Sequence, residues 1–148
     1  MCPQIAIIAC STMTSLLSDA RVQIKVSSVL NRDTAQFGKQ HLTDGDAQTC
    51  WNSDAGKPQR IVVDFGRAVH VHSLTLTFQG GFVGHPCHIT PDWTVYPGDT
   101  NAPQTFTATD AVKSVPRTRM QLMFADSTDF YGRVTLFQLD VVGIEAAA

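Results

Sequence analysis

The stretch His70-Val71-His72-Ser73-Leu74-Thr75-Leu76-Thr77-Phe78 alternates polar and apolar side chains on either side of the pair His72-Ser73 and stops at Gly80-Gly81. A period of two puts neighbouring side chains on opposite faces, which suits a half-buried strand and no helix. Runs of the same kind recur at Arg21 to Val26, Arg60 to Phe65 (ending at Gly66), Gln104 to Thr107, Arg119 to Phe124 and Arg133 to Val142. In the last run the alternation predicts Val134, Leu136 and Gln138 on one face and Thr135, Phe137, Leu139 and Val141 on the other. Prolines 58, 86, 91, 97, 103 and 116 fall between runs, as ladder hydrogen bonding requires. Only Ser15 to Ala20 and Val112 to Val115 have room for a helical turn. Many short strands with no βαβ alternation predict an all-β fold, an antiparallel β-sandwich or jelly roll.

A chain of 148 residues is read as one domain, large enough to need no disulfide staple. The expected limits are an N-terminal extension over 1–20, the domain over 21–143 and a tail over 144–148. A net charge of −2 leaves no electrostatic footprint for nucleic acid or for an anionic membrane. No apolar run approaches the ~18–20 residues of a membrane span. The first twenty residues include an apolar stretch from Ile5 to Cys10 but no Lys or Arg, so they lack the positive region of a secretion signal. Cys2, Cys10, Cys50 and Cys87 form no CxxC pair, and no asparagine opens a glycosylation sequon. A reduced, intracellular protein is expected, in cytoplasm, nucleus or cilium.

The segment DGDAQTCWNSD, Asp44 to Asp54, concentrates oxygen donors around one tryptophan. Asp44 and Asp46 offer carboxylates, Thr49 a hydroxyl, and Gly45 a sharp turn, the donors a Ca²⁺ ion takes. The same side chains can instead close the loop by Asx turns, with no metal. Cys50 is a nucleophile only if a base lies beside it, and no GxSxG, HExxH or P-loop appears. His85-Pro86-Cys87-His88 lacks the second ligand pair of a zinc site, which would have to come from Cys50 or from His70 and His72. The chain is read as non-catalytic.

Taken in order, SSVLNRDT (Ser27 to Thr34), LTDGDAQTCWNSD (Leu42 to Asp54), IVVDFG (Ile61 to Gly66), FQGGF (Phe78 to Phe82) and DSTDFYGRVTLFQLDVVG (Asp126 to Gly143) resemble the discoidin domain. This is also called the coagulation factor V/VIII C-type domain, a galactose-binding-like jelly roll. The chain departs from extracellular members, which usually join their two ends by a disulfide, in having no cysteine beyond Cys87. The resemblance implies one structural Ca²⁺ held by Asp44, Asp46 and Thr49, with Gln138 standing where the family often places a glutamate. It also implies that Trp51 packs in the core with its N–H paired, leaving Asn52 and Ser53 as turn formers at a strand edge.

Discoidin-like folds present ligands on loops at one end of the barrel. Three loops carry the candidate residues: Phe37 in Asn31 to Phe37, Phe82 in Gln79 to Gly84, and Phe130, Tyr131 and Arg133 in Asp126 to Arg133. Aromatics and arginine dominate interface energetics. The alternative keeps Phe82 and Phe130 as plugs of the barrel end, with Arg133 paired to Asp129 or Asp64. The resemblance implies a protein-binding adaptor or structural subunit of a larger assembly, either a nuclear-receptor co-regulator or a ciliary component. A sugar- or lipid-binding module is the competing class, but the loops hold few cations beyond Arg32, Lys39 and Arg133.

Overall fold

The computed structural model describes residues 13–90 and 92–146. In chain order the strands are β1 (Thr14–Ser15), β2 (Gln23–Val26), β3 (Trp51–Asn52), β4 (Gln59–Phe78), β5 (Cys87–Ile89), β6 (Trp93–Val95), β7 (Gln104–Thr107), β8 (Arg117–Phe124) and β9 (Thr135–Glu145). Two short helices, α1 (Thr34–Phe37) and α2 (Asp110–Ser114), lie between them. All named pairings are antiparallel. The result is the expected β-sandwich.

β4 is the spine. Its first half, Gln59 to Asp64, is flanked by β2 and β8, and β5 and β6 continue that layer. Its second half, Val69 to Phe78, is flanked by β7 and β9, with β1 and β3 on the far side of β9. Gly66 was expected to end a strand; instead the chain passes through it and enters the other layer. A φ of 71° and a neighbouring Arg21 carbonyl oxygen, 2.6 Å from where a Cβ would stand, leave room for glycine alone.

The buried side of β4 follows Ile61, Val63, Phe65, Val69 and Val71, then changes phase to Leu74, Leu76 and Phe78. The pairing with β9 slips by one residue between Val71 and Ser73, so a bulge re-aims the later half. β9 carries a matching irregularity opposite Phe78. Leu136, Leu139 and Val141 therefore all face the core, while Phe137 is half-buried and Gln138 is exposed. The predicted faces of this strand were wrong beyond Leu136, because strict alternation does not survive a bulge. Phe78 and Phe124 join the two layers edge to face, with ring centres 5.8 Å apart.

At both ends, elements of the fold reach past the expected limits at 21 and 143. Thr14 pairs with Gly143, and Leu16 and Leu17 are buried in the core, so 13–20 belongs to the fold. β9 runs to Glu145, past the expected limit at 143. The rest of the expected extension, 1–12, and the last two residues of the tail lie outside the described residues.

Because β4 turns back on itself, its two ends emerge together. Gln59 pairs with Phe124 and Phe78 with Leu136, so β8 ends and β9 begins at the same place. The segments after β2, β3, β4 and β8 consequently gather at one end of the sandwich.

A candidate binding site at the loop end

Gln59 opens β4, and its buried side-chain amide ties these segments together. Its Oε1 accepts from the hydroxyls of Ser27 (2.6 Å) and Ser28 (2.8 Å). Its Nε2 donates to the carbonyls of Asp54 (3.1 Å) and Gly56 (2.9 Å). Every hydrogen-bonding position of the amide is used, which a buried amide requires. Nothing in the sequence marked Gln59, since a glutamine at a strand start belongs to no motif.

Trp51 is fully buried, and its Nε1 donates to the Ser28 carbonyl at 2.9 Å, as expected for a core tryptophan. Asn52 lies in β3, and Ser53 is a buried bridge to Val134, just before β9, more than a turn former. Its N–H donates to the Val134 carbonyl and its hydroxyl accepts from the Val134 N–H.

The loop from Asp126 to Arg133 is braced from both sides. Lys57 pairs with Asp126 at 2.9 Å, and the Gly56 N–H donates to the Tyr131 carbonyl at 2.7 Å. Gly132, at φ 86°, lies so close to Gly56 that a Cβ would stand 2.8 Å from its carbonyl oxygen. Asp129 accepts from Arg133 Nε at 2.9 Å, from Nη2 at 3.1 Å and from the Arg133 N–H at 3.1 Å. The guanidinium holds the Asp129 carboxyl below its ordinary range. Arg133 is thus paired with Asp129 and not with Asp64.

Over this base sits an aromatic stack. The Arg133 guanidinium lies 5.2 Å from the ring centre of Phe82 and 5.5 Å from that of Tyr131. Phe130 meets Tyr131 edge to face at 5.2 Å. Phe130 is 87% exposed and Tyr131 62%, so Phe130 is no plug, whereas Phe82 is half-buried beneath the arginine. The structure therefore brings four of the five candidate residues together. Phe37, half-buried at the end of α1, is not part of the stack.

The oxygen-rich loop lies elsewhere, after the turn Lys39–Leu42 and beside β9. Asp44 Oδ1 accepts from the Asp46 N–H (2.9 Å) and Asp46 Oδ1 from the Gln48 N–H (2.8 Å), two successive Asx turns. Asp44 Oδ2 accepts from the Thr49 hydroxyl at 2.6 Å and faces His41 Nδ1 at 3.1 Å. His41 Nε2 faces the Ala35 carbonyl at 3.0 Å. Only the doubly protonated ring donates at both nitrogens, and these contacts raise its pKa. The Thr49 hydroxyl, the Asp46 N–H and His41 lower that of Asp44.

Gln138 shares a shallow cavity of about 270 Å³ with Gly45 and Asp46. Ca²⁺ takes six to eight oxygens, and several of those on this loop are turned to hydrogen bonds within the loop. Both Asp44 oxygens already have partners within the loop, with the His41 ring against Oδ2. Among the described residues, no group of three or more His, Cys, Asp and Glu side chains is placed to hold a metal.

Among the described residues, the other reactive side chains do not converge on a shared centre. Cys87 points into the core, where burial pushes its thiol up to about 12. His88, on the other face of β5, bonds Thr94 at 3.1 Å. Burial also raises the Cys50 thiol, which disfavours the thiolate a nucleophile needs.

A family model described as a NedA-like, galactose-binding domain of F5/8 type C matches residues 41–134. The nuclear receptor 2C2-associated protein of Xenopus tropicalis is 45% identical over 140 residues, spanning 88% of this chain and 99% of that protein. Its counterpart in Mus musculus is 43% identical over 131 residues, or 82% and 91%. Among solved structures, the family 32 CBM of C. perfringens NanJ, in complex with galactose, superposes with a TM-score of 0.65 at 18% identity, over 88% of this chain and 99% of that one. That likeness concerns the fold.

Proposed function

The chain belongs to the NedA-like galactose-binding family of F5/8 type C domains, and from that premise we propose that it is a non-catalytic intracellular adaptor that docks on protein through the aromatic apex of its loop end. One observation carries this reading: Phe130 and Tyr131 stand exposed on a loop whose every turn is fixed by hydrogen bonds. Exposed aromatics that are already ordered lose little entropy on binding and supply large contact area. Relatives named for association with nuclear receptor 2C2 support a receptor of that kind as the partner, in the nucleus or cytoplasm. The subunit role in a larger assembly, such as a ciliary one, uses the same surface.

Lysine and arginine at the apex do not form the free basic ring an anionic membrane attracts, because Lys57 is paired with Asp126 and Arg133 with Asp129. Titration of the purified full chain with a receptor of the 2C2 class tests the proposal. Saturable binding that Phe130→Ala/Tyr131→Ala weakens supports it; absence of binding, or binding indifferent to that variant, refutes it.

The cavity beside the oxygen-rich loop favours a second reading, a saccharide site. There Phe137 offers an aromatic wall, Asn101 and Gln138 amides, and Thr77 a buried hydroxyl with no partner among the described residues. Galactose titrated into the same chain, with Phe137→Ala as control, separates the two.

A further inference from the structure

β2 is bonded to β4 along one edge only. Its other edge opens on a groove of about 380 Å³, walled by Thr34 of α1 and by Gly38 and Lys39 of the following turn. Lys25 and Val26 both line this groove, although they are consecutive in a strand and point to opposite faces. A cavity touching both must follow the backbone edge between them, where unpaired N–H and C=O groups lie.

The groove has a sided chemistry. Val26 and Val29, half-buried against the core, give it an apolar floor. Lys25 and Lys39, both exposed, give it cationic rims, and neither forms an ion pair among the described residues. Arg21, Lys57, Arg67 and Arg133, by contrast, are each held by a carboxylate. Lys25 and Lys39 share their unpaired state with Arg32, Arg60, Lys113, Arg117 and Arg119 but alone among these line the groove. A lysine on an edge strand also repels a second copy of the same edge, because like charges meet across the new ladder. The fitting occupant is an extended segment of opposite charge.

We propose that the free edge of β2 is a second docking site, separate from the aromatic apex, for an extended protein segment that adds a strand to the sheet. Its acidic side chains stand beside Lys25 and Lys39, and an apolar side chain covers Val26 and Val29. Main-chain hydrogen bonds supply affinity in this mode, and the alternate side chains supply selectivity.

The full chain is titrated with a fluorescein-labelled peptide of alternating glutamate and valine, and separately with its lysine–valine counterpart. Salt-sensitive binding of the glutamate peptide alone is expected, with amide shifts centred on Gln23 to Val26. Lys25→Glu/Lys39→Glu, at two exposed positions, weakens that binding roughly tenfold or more and transfers preference to the lysine peptide. The Phe130→Ala/Tyr131→Ala variant leaves it unchanged, so failure here is distinguishable from failure at the apex. No binding of the glutamate peptide, equal binding of both peptides, or indifference to the lysine substitutions overturns the proposal.

Discussion

Arg133 makes a two-point ion pair with Asp129, four residues earlier, and that pair fixes the plane on which the rings of Phe82 and Tyr131 rest. A planar fork has this geometry and an ammonium does not. Arg133→Lys is therefore expected to keep the charge yet loosen the loop. Amide hydrogen exchange at Gly132 and Arg133 should rise by about tenfold or more, while β4 amides remain protected. An unchanged exchange rate would mean the remaining backbone bonds suffice.

At the tip, Phe130→Ala and Tyr131→Ala remove side chains that stand mostly in water. Thermal midpoints should move by no more than about 2 °C. Partner affinity should drop by about tenfold or more for the pair, since exposed ordered aromatics act as anchors. Scanning calorimetry reads the first and calorimetric titration the second, on one preparation.

Gln59 is the opposite case, buried with four partners. Gln59→Ala leaves two hydroxyls and two carbonyls without their bonds, at an expected cost of about 2–4 kcal/mol in urea unfolding. Gln59→Glu should not rescue it, because a carboxylate has no N–H for the carbonyls of Asp54 and Gly56. A loss below about 1 kcal/mol would indicate that water takes over the amide's role.

The brace of His41 on Asp44 sets a pH window. The folded-state pKa of His41 lies above its ordinary value of about 6.5, through the Ala35 carbonyl and then Asp44. Its contribution is thus complete below about pH 6.5 and fades as pH rises through the folded value. Asp44 is shifted down by Thr49, the Asp46 N–H and His41, so its contribution holds above about pH 3.9 and fades as acid reaches the folded value. The urea midpoint of the native chain should decline from pH 6.5 upward relative to His41→Gln. Parallel curves would show that the ring carries no proton there.

The same contacts make a forecast about calcium. Millimolar Ca²⁺ or a chelator should shift the thermal midpoint by less than about 1 °C, because an ion stabilises the fold only as far as it binds and would first have to displace the Thr49 hydroxyl and the His41 ring from Asp44. A rise of several degrees, abolished by Asp46→Asn, would place an ion at this loop after all.

The alternation in β4 and β8 and the punctuation by proline made the fold class legible from residue order. The continuity of β4 through Gly66 was not, since a glycine reads as a stop unless the Arg21 backbone packed against it is known. Bulges at His72 of β4 and at Phe137 of β9 change which residues face the core, and strict alternation read through the polar pair His72-Ser73 and the apolar pair Leu136-Phe137 misses both slips. Leu16 and Leu17 looked like part of a loose extension because two residues of strand and one turn are too short to show any period. At the loop end, the aromatics and Arg133 stood out by residue type. Gln59 and His41 did not, because their roles come from neighbours distant in sequence or from a fold of the loop itself.

β9 runs eleven residues from the apex side to Glu145, roughly 33 Å of strand, and ends where Ala146 donates to the Ala68 carbonyl at the bend of β4. A fluorophore, tag or tethered protein joined after that point hangs from the pole opposite Phe130. The module can then be chained to other parts without blinding the face it shows them.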